Sequence, residues 1–264
     1  MALDHQKQQL ASNFDPELYK LVEKDVGSIS EHILQISSYI KKNILPGSNY
    51  STFLDIGAGP GDIAITLAQY FKKATFIDSN ESYLPEYEKI KQLFPNSTEF
   101  VIDSFESVNF STKYDFILCS HMLYHIPKIQ WHSVLLKIYS LLNPSGQGLI
   151  AMVAPRGNFH LLCSMINPAY SHSKDVETIL QITSISYYTK KMKCKYVTQD
   201  RKKFITLVRL FVIDNCFTPE EYGNASDSKK KKIEEEITQF VNKCKNSEGT
   251  YEFFTEEDYI TVYK

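Results

Sequence analysis

The alternating glycines Gly57, Gly59 and Gly61 constrain the fold of this chain more than any other feature of its sequence. They follow an apolar run, Thr52–Ile56, that is typical of a buried strand, and they precede a stretch with helical periodicity. Glycine is needed where a chain adopts unusual dihedral angles or where a ligand approaches the backbone closely. The first turn of the following helix offers unpaired N–H groups, which suit a carboxylate or a phosphate. A plain tight turn is the alternative, but the triple spacing after Asp55 favours a ligand-binding turn.

Expected strands and helices alternate on both sides of this turn. The pattern predicts strands at Thr52–Ile56, Ala74–Asp78, Glu99–Ile102, Tyr114–Cys119 and Gly148–Val153, with helices at residues 16–44, 61–71, 83–94 and 129–142. Such alternation indicates parallel βαβ units with right-handed crossovers, and hence a doubly wound, mostly parallel α/β sheet. Ligands of such sheets lie at the carboxyl ends of the strands.

Beyond Pro155 the pattern becomes mainly helical. It predicts helices at residues 159–167, 176–192, 204–215 and 227–245, and short strands at Cys194–Val197 and Tyr259–Tyr263. We interpret these as the last strands of the same sheet with inserted helices. The chain 1–264 is then a single domain, in which 51–154 form the ligand-binding core and 1–48 and 155–264 flank the site.

Composition and charge exclude several classes of partner. The formal net charge is -2, so the chain has no general attraction for nucleic acid or for anionic membranes. The basic run Lys229–Lys232 is followed by three glutamates, which is typical of a solvated helix face. The five cysteines are widely spaced without a Cys-x-x-Cys pair, which predicts neither disulfides nor a metal cluster. We expect a reduced, cytoplasmic monomer that acts on a small molecule.

The acids near the turn indicate which ligand it binds. A dinucleotide-binding turn has glycine at the position of Asp62, so this turn favours a ligand without phosphates. Asp78 ends the next strand about 20 residues on, the interval at which an acid binds ribose hydroxyls. A surface acid that caps a helix, with Ser79 as helper, is the alternative. Asp103 and Ser104 follow the third strand, where they either bond the amine of adenine or cap a helix.

At this point the segment from Ser51 to Ala154 resembles class I S-adenosylmethionine-dependent methyltransferases. The glycine turn, Asp78, the Asp103 step and the stop Leu142-Asn143-Pro144-Ser145-Gly146 occur in that family's order and spacing. The resemblance implies a seven-stranded Rossmann-like sheet with N-terminal helices and C-terminal helical insertions. It also implies S-adenosylmethionine as cofactor and S-adenosylhomocysteine as product. The implied cofactor-binding residues are Asp55, Gly57, Gly59, Gly61, Asp78, Ser79, Tyr83, Asp103, Ser104 and Ser120.

Within that class the chain is similar to the histamine N-methyltransferases. The segments that carry this resemblance are Tyr114–Ile117, Met122–Tyr124, Ser30–Ile33 and Asp214–Phe217. The resemblance implies that Glu31 faces the ammonium group of the substrate. His121, Tyr83 and the Phe254-Thr255 step depart from the family, which has glutamine at the first two positions and asparagine at the third.

The resulting hypothesis is the methylation of a small molecule at an amine nitrogen. The expected catalytic residues are Glu31 and His121, either of which can accept a proton. The expected substrate-binding residues are Glu31, His121, Tyr124 and Thr255, although Tyr124 alternatively serves only in packing. Two other activities stay open: hydroxyl or carboxyl methylation, the latter with Arg156, Lys190, Lys191 and Lys193 as candidate partners, and cofactor binding without turnover.

Overall fold

A computed structural model describes residues 29–264, and the side chains of all of these except residues 29–31 and 219. Within that range the chain forms one seven-stranded sheet in the order β3-β2-β1-β4-β5-β7-β6. The strands are β1 (Thr52–Ile56), β2 (Lys73–Asp78), β3 (Thr98–Ile102), β4 (Tyr114–Ser120), β5 (Leu142–Val153), β6 (Tyr187–Thr198) and β7 (Tyr251–Tyr263).

The sheet is mixed. Strands β3, β2, β1, β4 and β5 are parallel to one another, whereas β7 lies between β5 and β6 and is antiparallel to both. The order of the first four strands reverses between β1 and β4, which is the switch point where α/β sheets bind ligands. The expected mostly parallel, Rossmann-like α/β fold is therefore confirmed in its coarse form.

Helices cover both faces of the sheet. They are α1 (Ile29–Asn43), α2 (Asp62–Leu67), α3 (Leu84–Leu93), α4 (Trp131–Leu141), α5 (Gly157–Ile166), α6 (Ser173–Ile182), α7 (Arg201–Cys216), α8 (Pro219–Gly223) and α9 (Asp227–Lys243). Short polar side chains fix several of the starts, because they satisfy N–H groups that the first turn leaves unpaired. Asp200 accepts from the backbone N–H groups of Lys202 and Lys203, and Ser226 accepts from that of Lys229.

Three apolar clusters fix the helices on the sheet. On one face, Ile36 and Ile40 of α1 pack with Phe53, Phe76 and Phe116 of the central strands. The other face packs around Trp131, whose indole N–H donates to the Ile126 carbonyl at 2.9 Å. A third cluster joins α5, α7 and α9 to the first half of β7. The C-terminal helices α5, α7 and α9 therefore pack directly on the sheet.

Two of the expected elements were wrong in extent. The helix expected at residues 176–192 ends at Ile182, and Ser184 has a left-handed backbone with φ of 56° before β6 begins. The last strand begins at Tyr251 rather than at Tyr259, because it pairs with β6 along its whole length. Tyr187–Thr198 is rich in aromatic and β-branched residues, which fit a pleated strand, and its lysines are tolerated because β6 is an edge strand.

The part of the chain from residue 29 onward contains no helix that is both long enough and apolar enough to cross a membrane.

Candidate functional site

A cavity of about 740 Å³ opens at the switch point of the sheet. Its floor follows the carboxyl ends of β1, β2 and β4, and its walls come from α1, α5, α7 and β7. This volume lies within the range of about 300–1,000 Å³ typical of sites for small molecules.

The glycine turn forms one wall of this cavity. Gly57, Gly59 and Gly61 all have positive φ, at 70°, 54° and 87°, a region that L side chains rarely adopt. The reasons for having no side chain differ between them. A Cβ on Gly57 would lie 2.3 Å from the Met122 side chain, and one on Gly61 would lie 2.5 Å from Ile90. A Cβ on Gly59 would meet no atom of the described chain within 4 Å. Gly59 is therefore the glycine that leaves open space beside the cavity.

Asp78 at the end of β2 holds the turn in place. One of its carboxylate oxygens accepts from the Gly59 N–H at 2.9 Å, and the other accepts from the Asn80 N–H at 2.9 Å. The Tyr87 hydroxyl donates to the Gly59 carbonyl at 2.7 Å. A carboxylate oxygen can accept more than one hydrogen bond, so Asp78 retains capacity for two hydroxyl donors of a ligand.

Asp55 lies behind the turn and is not part of the cavity wall. Its side chain is buried within β1, and burial together with the nearby Asp78 raises its pKa to about 8. Near pH 7 the Asp55 carboxyl is therefore mostly protonated.

Asp103 and Ser104 lie at the rim of the cavity after β3. One Asp103 oxygen accepts from the Ser104 N–H and from the Ser107 hydroxyl, each at 2.7 Å. These hydrogen bonds, that of Ser107 first, lower the pKa of the Asp103 carboxyl. The local cap and an exposed carboxylate at the cavity therefore coexist, because the cap uses only one of the two oxygens.

His121 follows β4 directly and lines the end of the cavity where it meets His32 of α1 and Glu257 of β7. Its φ is 53°, and its N–H donates to the Ala151 carbonyl of β5 at 2.9 Å. A left-handed backbone is uncommon for residues other than glycine and costs of the order of 1 kcal/mol or more. Here the extra hydrogen bond to β5 offsets part of that cost and fixes the backbone of His121.

A cluster of His32, His121 and Glu257 lies at this end of the cavity. Glu257 Oε2 is 3.2 Å from His32 Nδ1 and 3.7 Å from His121 Nε2, and the two rings are edge to face at 4.8 Å. Only 1% of the Glu257 side chain is exposed, against 14% for His32 and 25% for His121. The other Glu257 oxygen accepts from the Thr255 hydroxyl at 3.1 Å.

Charge dominates this cluster. Burial lowers the pKa of His32, but the Glu257 carboxylate outweighs that effect and raises it to about 10. Burial raises the pKa of Glu257, and the neighbouring His32, followed by His121, holds it well below its usual range instead. Near pH 7 His32 and Glu257 therefore form an imidazolium–carboxylate ion pair.

Asp214 of α7 is the second acid at this end. Its Oδ1 lies 3.2 Å from His125 Nε2. Burial raises the pKa of Asp214, while His125 and His121 partly oppose that rise. The rest of the wall here is apolar and aromatic, from Phe159, Tyr196 and Phe211.

The structure brings most of the expected site residues together. Those that line the cavity are Gly57, Gly59, Asp78, Ser79, Tyr83, Asp103, Ser104, Ser120, His121 and Thr255. Gly61 packs against Ile90 and Asp55 is buried behind the turn, so neither lies at the wall. The Tyr124 hydroxyl accepts from the Val153 N–H inside the core, which agrees with the packing alternative. The side chain of Glu31 lies outside the described residues.

Among the wall residues without an expected role are His32, Asp214 and Glu257. They come from α1, α7 and β7, far apart in the sequence, and the cavity brings them together. The sequence carries no local signal for Glu257, which lies in the acidic run Glu256-Glu257-Asp258.

Comparison with known proteins identifies the core. A family model described as "Methyltransferase domain" matches residues 53–146. No curated protein sequence matches the chain. Among solved structures, the YcgJ protein from Bacillus subtilis superposes with a TM-score of 0.59 and 16% identity, covering 87% of this chain and 98% of that one.

Two similar structures contain S-adenosylhomocysteine. The N-methyltransferase NodS from Bradyrhizobium japonicum WM9 has a TM-score of 0.51 and 16% identity, with 61% of this chain and 78% of that one covered. The magnesium protoporphyrin IX methyltransferase ChlM from Synechocystis PCC 6803 has a TM-score of 0.54 and 19% identity, with 73% and 92% covered. At these identities the two structures show a shared fold. The similarity to histamine N-methyltransferases stays a prediction, because these comparisons do not show it.

The matched domain, the glycine turn and Asp78 agree on one enzyme type. The chain is an S-adenosylmethionine-dependent methyltransferase.

Proposed function

We propose that this S-adenosylmethionine-dependent methyltransferase transfers the methyl group to a nitrogen of a small amine. The charge of the cavity wall carries the proposal. Among the described residues the wall contains no lysine or arginine. It contains six acidic side chains: Asp62, Asp78, Asp103, Glu106, Asp214 and Glu257. A wall of this kind favours cationic ligands, as a sulfonium and an ammonium both are.

The end of the cavity around His121 has the charge that an ammonium group requires. His32 neutralises Glu257, whereas the partner of Asp214, His125, is charged only if protonated. With His125 neutral, the formal charge of this end is one negative unit, on Asp214. A bound ammonium would also favour the ionised form of Asp214, against the burial that raises its pKa.

Among the residues that the structure describes, no cationic side chain lines the cavity to bind a carboxylate acceptor. Arg156 is held by Asp258 through two hydrogen bonds of 3.0 and 2.8 Å, away from the cavity wall. Lys190, Lys191 and Lys193 lie on β6 and are absent from the described wall as well. An acid acceptor would therefore meet carboxylates rather than cations, which disfavours carboxyl methylation.

The wall of the cavity fits the cofactor. Gly59 leaves open space, Asp78 retains acceptor capacity for two hydroxyl groups, and Asp103 keeps one carboxylate oxygen beyond its local cap. When bound, S-adenosylmethionine supplies a methyl group on a positively charged sulfur that is a good leaving group. The chain then needs mainly to position an acceptor and remove a proton, and positioning contributes up to roughly 7–11 kcal/mol in well-oriented systems.

His121 is suited to remove the proton. An ammonium nitrogen has no lone pair, so a proton must leave before the nitrogen can react, and a histidine ring can accept it near pH 7. The backbone of His121 is fixed by its bond to Ala151, which holds the ring at the cavity.

A panel of labelled-methyl transfer assays tests the proposal. Each carbon skeleton is offered as an amine, an alcohol and a carboxylate of the same size, with S-adenosylmethionine carrying a labelled methyl group. We expect turnover on amines, and a loss of kcat/KM of about 10-fold or more in Asp214→Asn, because one charge-assisted contact is removed. Glu220→Gln, at an exposed acid of α8, is the matched control. Preferential methylation of the alcohols or carboxylates would refute the amine assignment.

A further inference from the structure

The His32, His121 and Glu257 cluster contains one negative charge for two imidazole rings. His32 lies on α1, His121 follows β4, and Glu257 lies on β7, so three separate elements bring these side chains together. One ring nitrogen of each histidine and one carboxylate oxygen of Glu257 lie within 4.8 Å of one another. His32 is closer to the carboxylate than His121 is, at 3.2 Å against 3.7 Å, and it is the more buried ring.

These distances decide which ring holds the charge. A single carboxylate stabilises one neighbouring imidazolium strongly, and a second imidazolium beside the first is opposed by like-charge repulsion. The ring centroids are only 4.8 Å apart, so the repulsion is large enough to matter. Once His32 carries the proton, His121 faces a carboxylate and an imidazolium whose fields oppose each other.

We propose that the His32–Glu257 ion pair keeps the His121 ring uncharged, so that His121 Nε2 is available to accept the proton that the acceptor amine loses. In that step an N–H bond of the ammonium breaks, a bond from Nε2 to the proton forms, and the freed lone pair stays on the acceptor nitrogen. His121 is then the catalytic residue, whereas His32 and Glu257 are positioning residues. The amine in this step rests on the proposed function, but the charge assignment does not.

Other ionisable groups near His121 do not offset the negative charge of Glu257 as His32 does. Asp214 of α7 contacts His125, and its effect on His121 is the same whether or not His32 is charged. The Tyr124 ring lies 6.0 Å from the His121 ring, and its hydroxyl accepts from the Val153 N–H. Removing the charge of His32 therefore leaves Glu257 uncompensated beside His121.

A bound metal ion is the competing interpretation of the same three side chains. Two histidines and one carboxylate are a common ligand set for divalent transition metals. Two observations favour a protonated His32 paired with Glu257 over a metal ion bound between the three side chains. The distance of 3.2 Å between His32 Nδ1 and Glu257 Oε2 is short enough for a direct ion pair, and the second Glu257 oxygen is bonded to Thr255.

Histidine NMR on the full chain with bound S-adenosylhomocysteine tests the charge assignment without any acceptor. In the wild-type protein we expect the His32 ring to stay protonated up to about pH 10 and the His121 ring to be neutral at pH 8. Signals are assigned with His32→Gln and His121→Asn. A charged His121 beside a neutral His32 at pH 8 would overturn the proposal.

Variants then test whether the opposing charges of His32 and Glu257 set the protonation of His121. In His32→Gln the uncompensated carboxylate should move the His121 titration midpoint upward by about 1–3 pH units. In Glu257→Gln both opposing charges disappear, because His32 loses its counter-ion, so the His121 midpoint should stay within about 0.5 pH unit of wild type. The double variant should match Glu257→Gln, and the exposed His132→Gln should match wild type. Equal shifts in both single variants would indicate a purely structural role and refute the proposal.

A metal titration completes the experiment. ZnCl₂, MnCl₂ and NiCl₂ are added to metal-free protein and binding is followed by calorimetry. We expect no stoichiometric binding that depends on His32 and Glu257. One equivalent of metal that is bound by wild type, lost in His32→Gln and in Glu257→Gln, and shifts both ring signals would overturn the proposal in favour of a metal site. Absence of methyl transfer to every amine, with the NMR pattern as expected, would instead refute only the proposed function.

Discussion

The substitution Gly59→Ala, which adds one methyl group, should weaken cofactor binding while leaving the protein able to fold. Gly59→Ala places a Cβ where no atom of the described chain lies within 4 Å, so the substitution causes no clash in the free protein. Its φ of 54° costs an alanine about 1 kcal/mol of folding free energy relative to glycine. The variant should fold, with a free energy of unfolding lower by about that amount.

The effect on binding should be larger. A ligand pushed away from the turn loses contact with the turn's N–H groups, and two lost hydrogen bonds of about 0.5–1.5 kcal/mol each weaken binding by about 5- to 150-fold. Gly57→Ala provides the contrast, because its Cβ would lie 2.3 Å from Met122 Cγ and 2.6 Å from Met122 Cβ. Crowding at the base of a side chain cannot be relieved by a rotamer change, so Gly57→Ala should lose about 2–4 kcal/mol of stability.

Two measurements compare the variants. Urea unfolding of the ligand-free proteins gives the change in stability, and calorimetry with S-adenosylhomocysteine gives the change in affinity. We expect Gly59→Ala to be nearly as stable as wild type and poor at binding, and Gly57→Ala to be markedly less stable. If Gly59→Ala binds S-adenosylhomocysteine with wild-type affinity, the ligand does not lie against this turn and the reasoning is wrong.

Three further predictions follow from the same geometry. Asp78→Asn removes the charge that accepts two backbone N–H bonds, so calorimetry should show S-adenosylhomocysteine binding weakened by about 10- to 100-fold, with the exposed Glu99→Gln as control. His121→Asn should lower kcat by about 10²–10⁴-fold while the affinity for S-adenosylhomocysteine changes less than about twofold; an equal loss of affinity would contradict the role of His121 in proton removal. Burial and the nearby Asp78 raise the pKa of Asp55 in the folded protein from its ordinary value of 3.8 to about 8, so ionising Asp55 destabilises the fold increasingly from about pH 4 to pH 8. Asp55→Asn should therefore be more stable than wild type by an amount that grows across that interval in urea unfolding, and a pH-independent difference would contradict this.

The cofactor side of the cavity was predictable because it is local in the sequence. A turn that follows β1 and an acid that ends β2 become neighbours as soon as two consecutive strands pair in parallel, so the spacing of Gly59 and Asp78 is enough to place them together. The coarse fold was confirmed for the same reason. The roles of these residues in binding remain predictions.

The part of the cavity around His121 and Glu257 was not predictable from local patterns. Glu257 is part of the run Glu256-Glu257-Asp258, which is typical of a solvated surface, and only the pairing of β7 with strands on both sides buries it. The position of β7 depends on contacts between residues that are distant in the sequence, and a residue-by-residue reading does not contain them. The same limit explains the wrong boundary of the helix expected up to Met192, because edge-strand lysines look like the polar face of a helix.

The insertion of β7 between β5 and β6 has a consequence for how ligand binding spreads through the molecule. In the part of the chain that the structure describes, β6 hydrogen-bonds to the sheet only through β7, and β7 also carries Glu257. Opening of β7 must therefore release β6 together with it, as one cooperative unit. Any molecule that binds against Glu257 should slow amide hydrogen exchange along the whole outer ribbon, including Val197 and Thr198 near its far end, which lie outside the cavity wall.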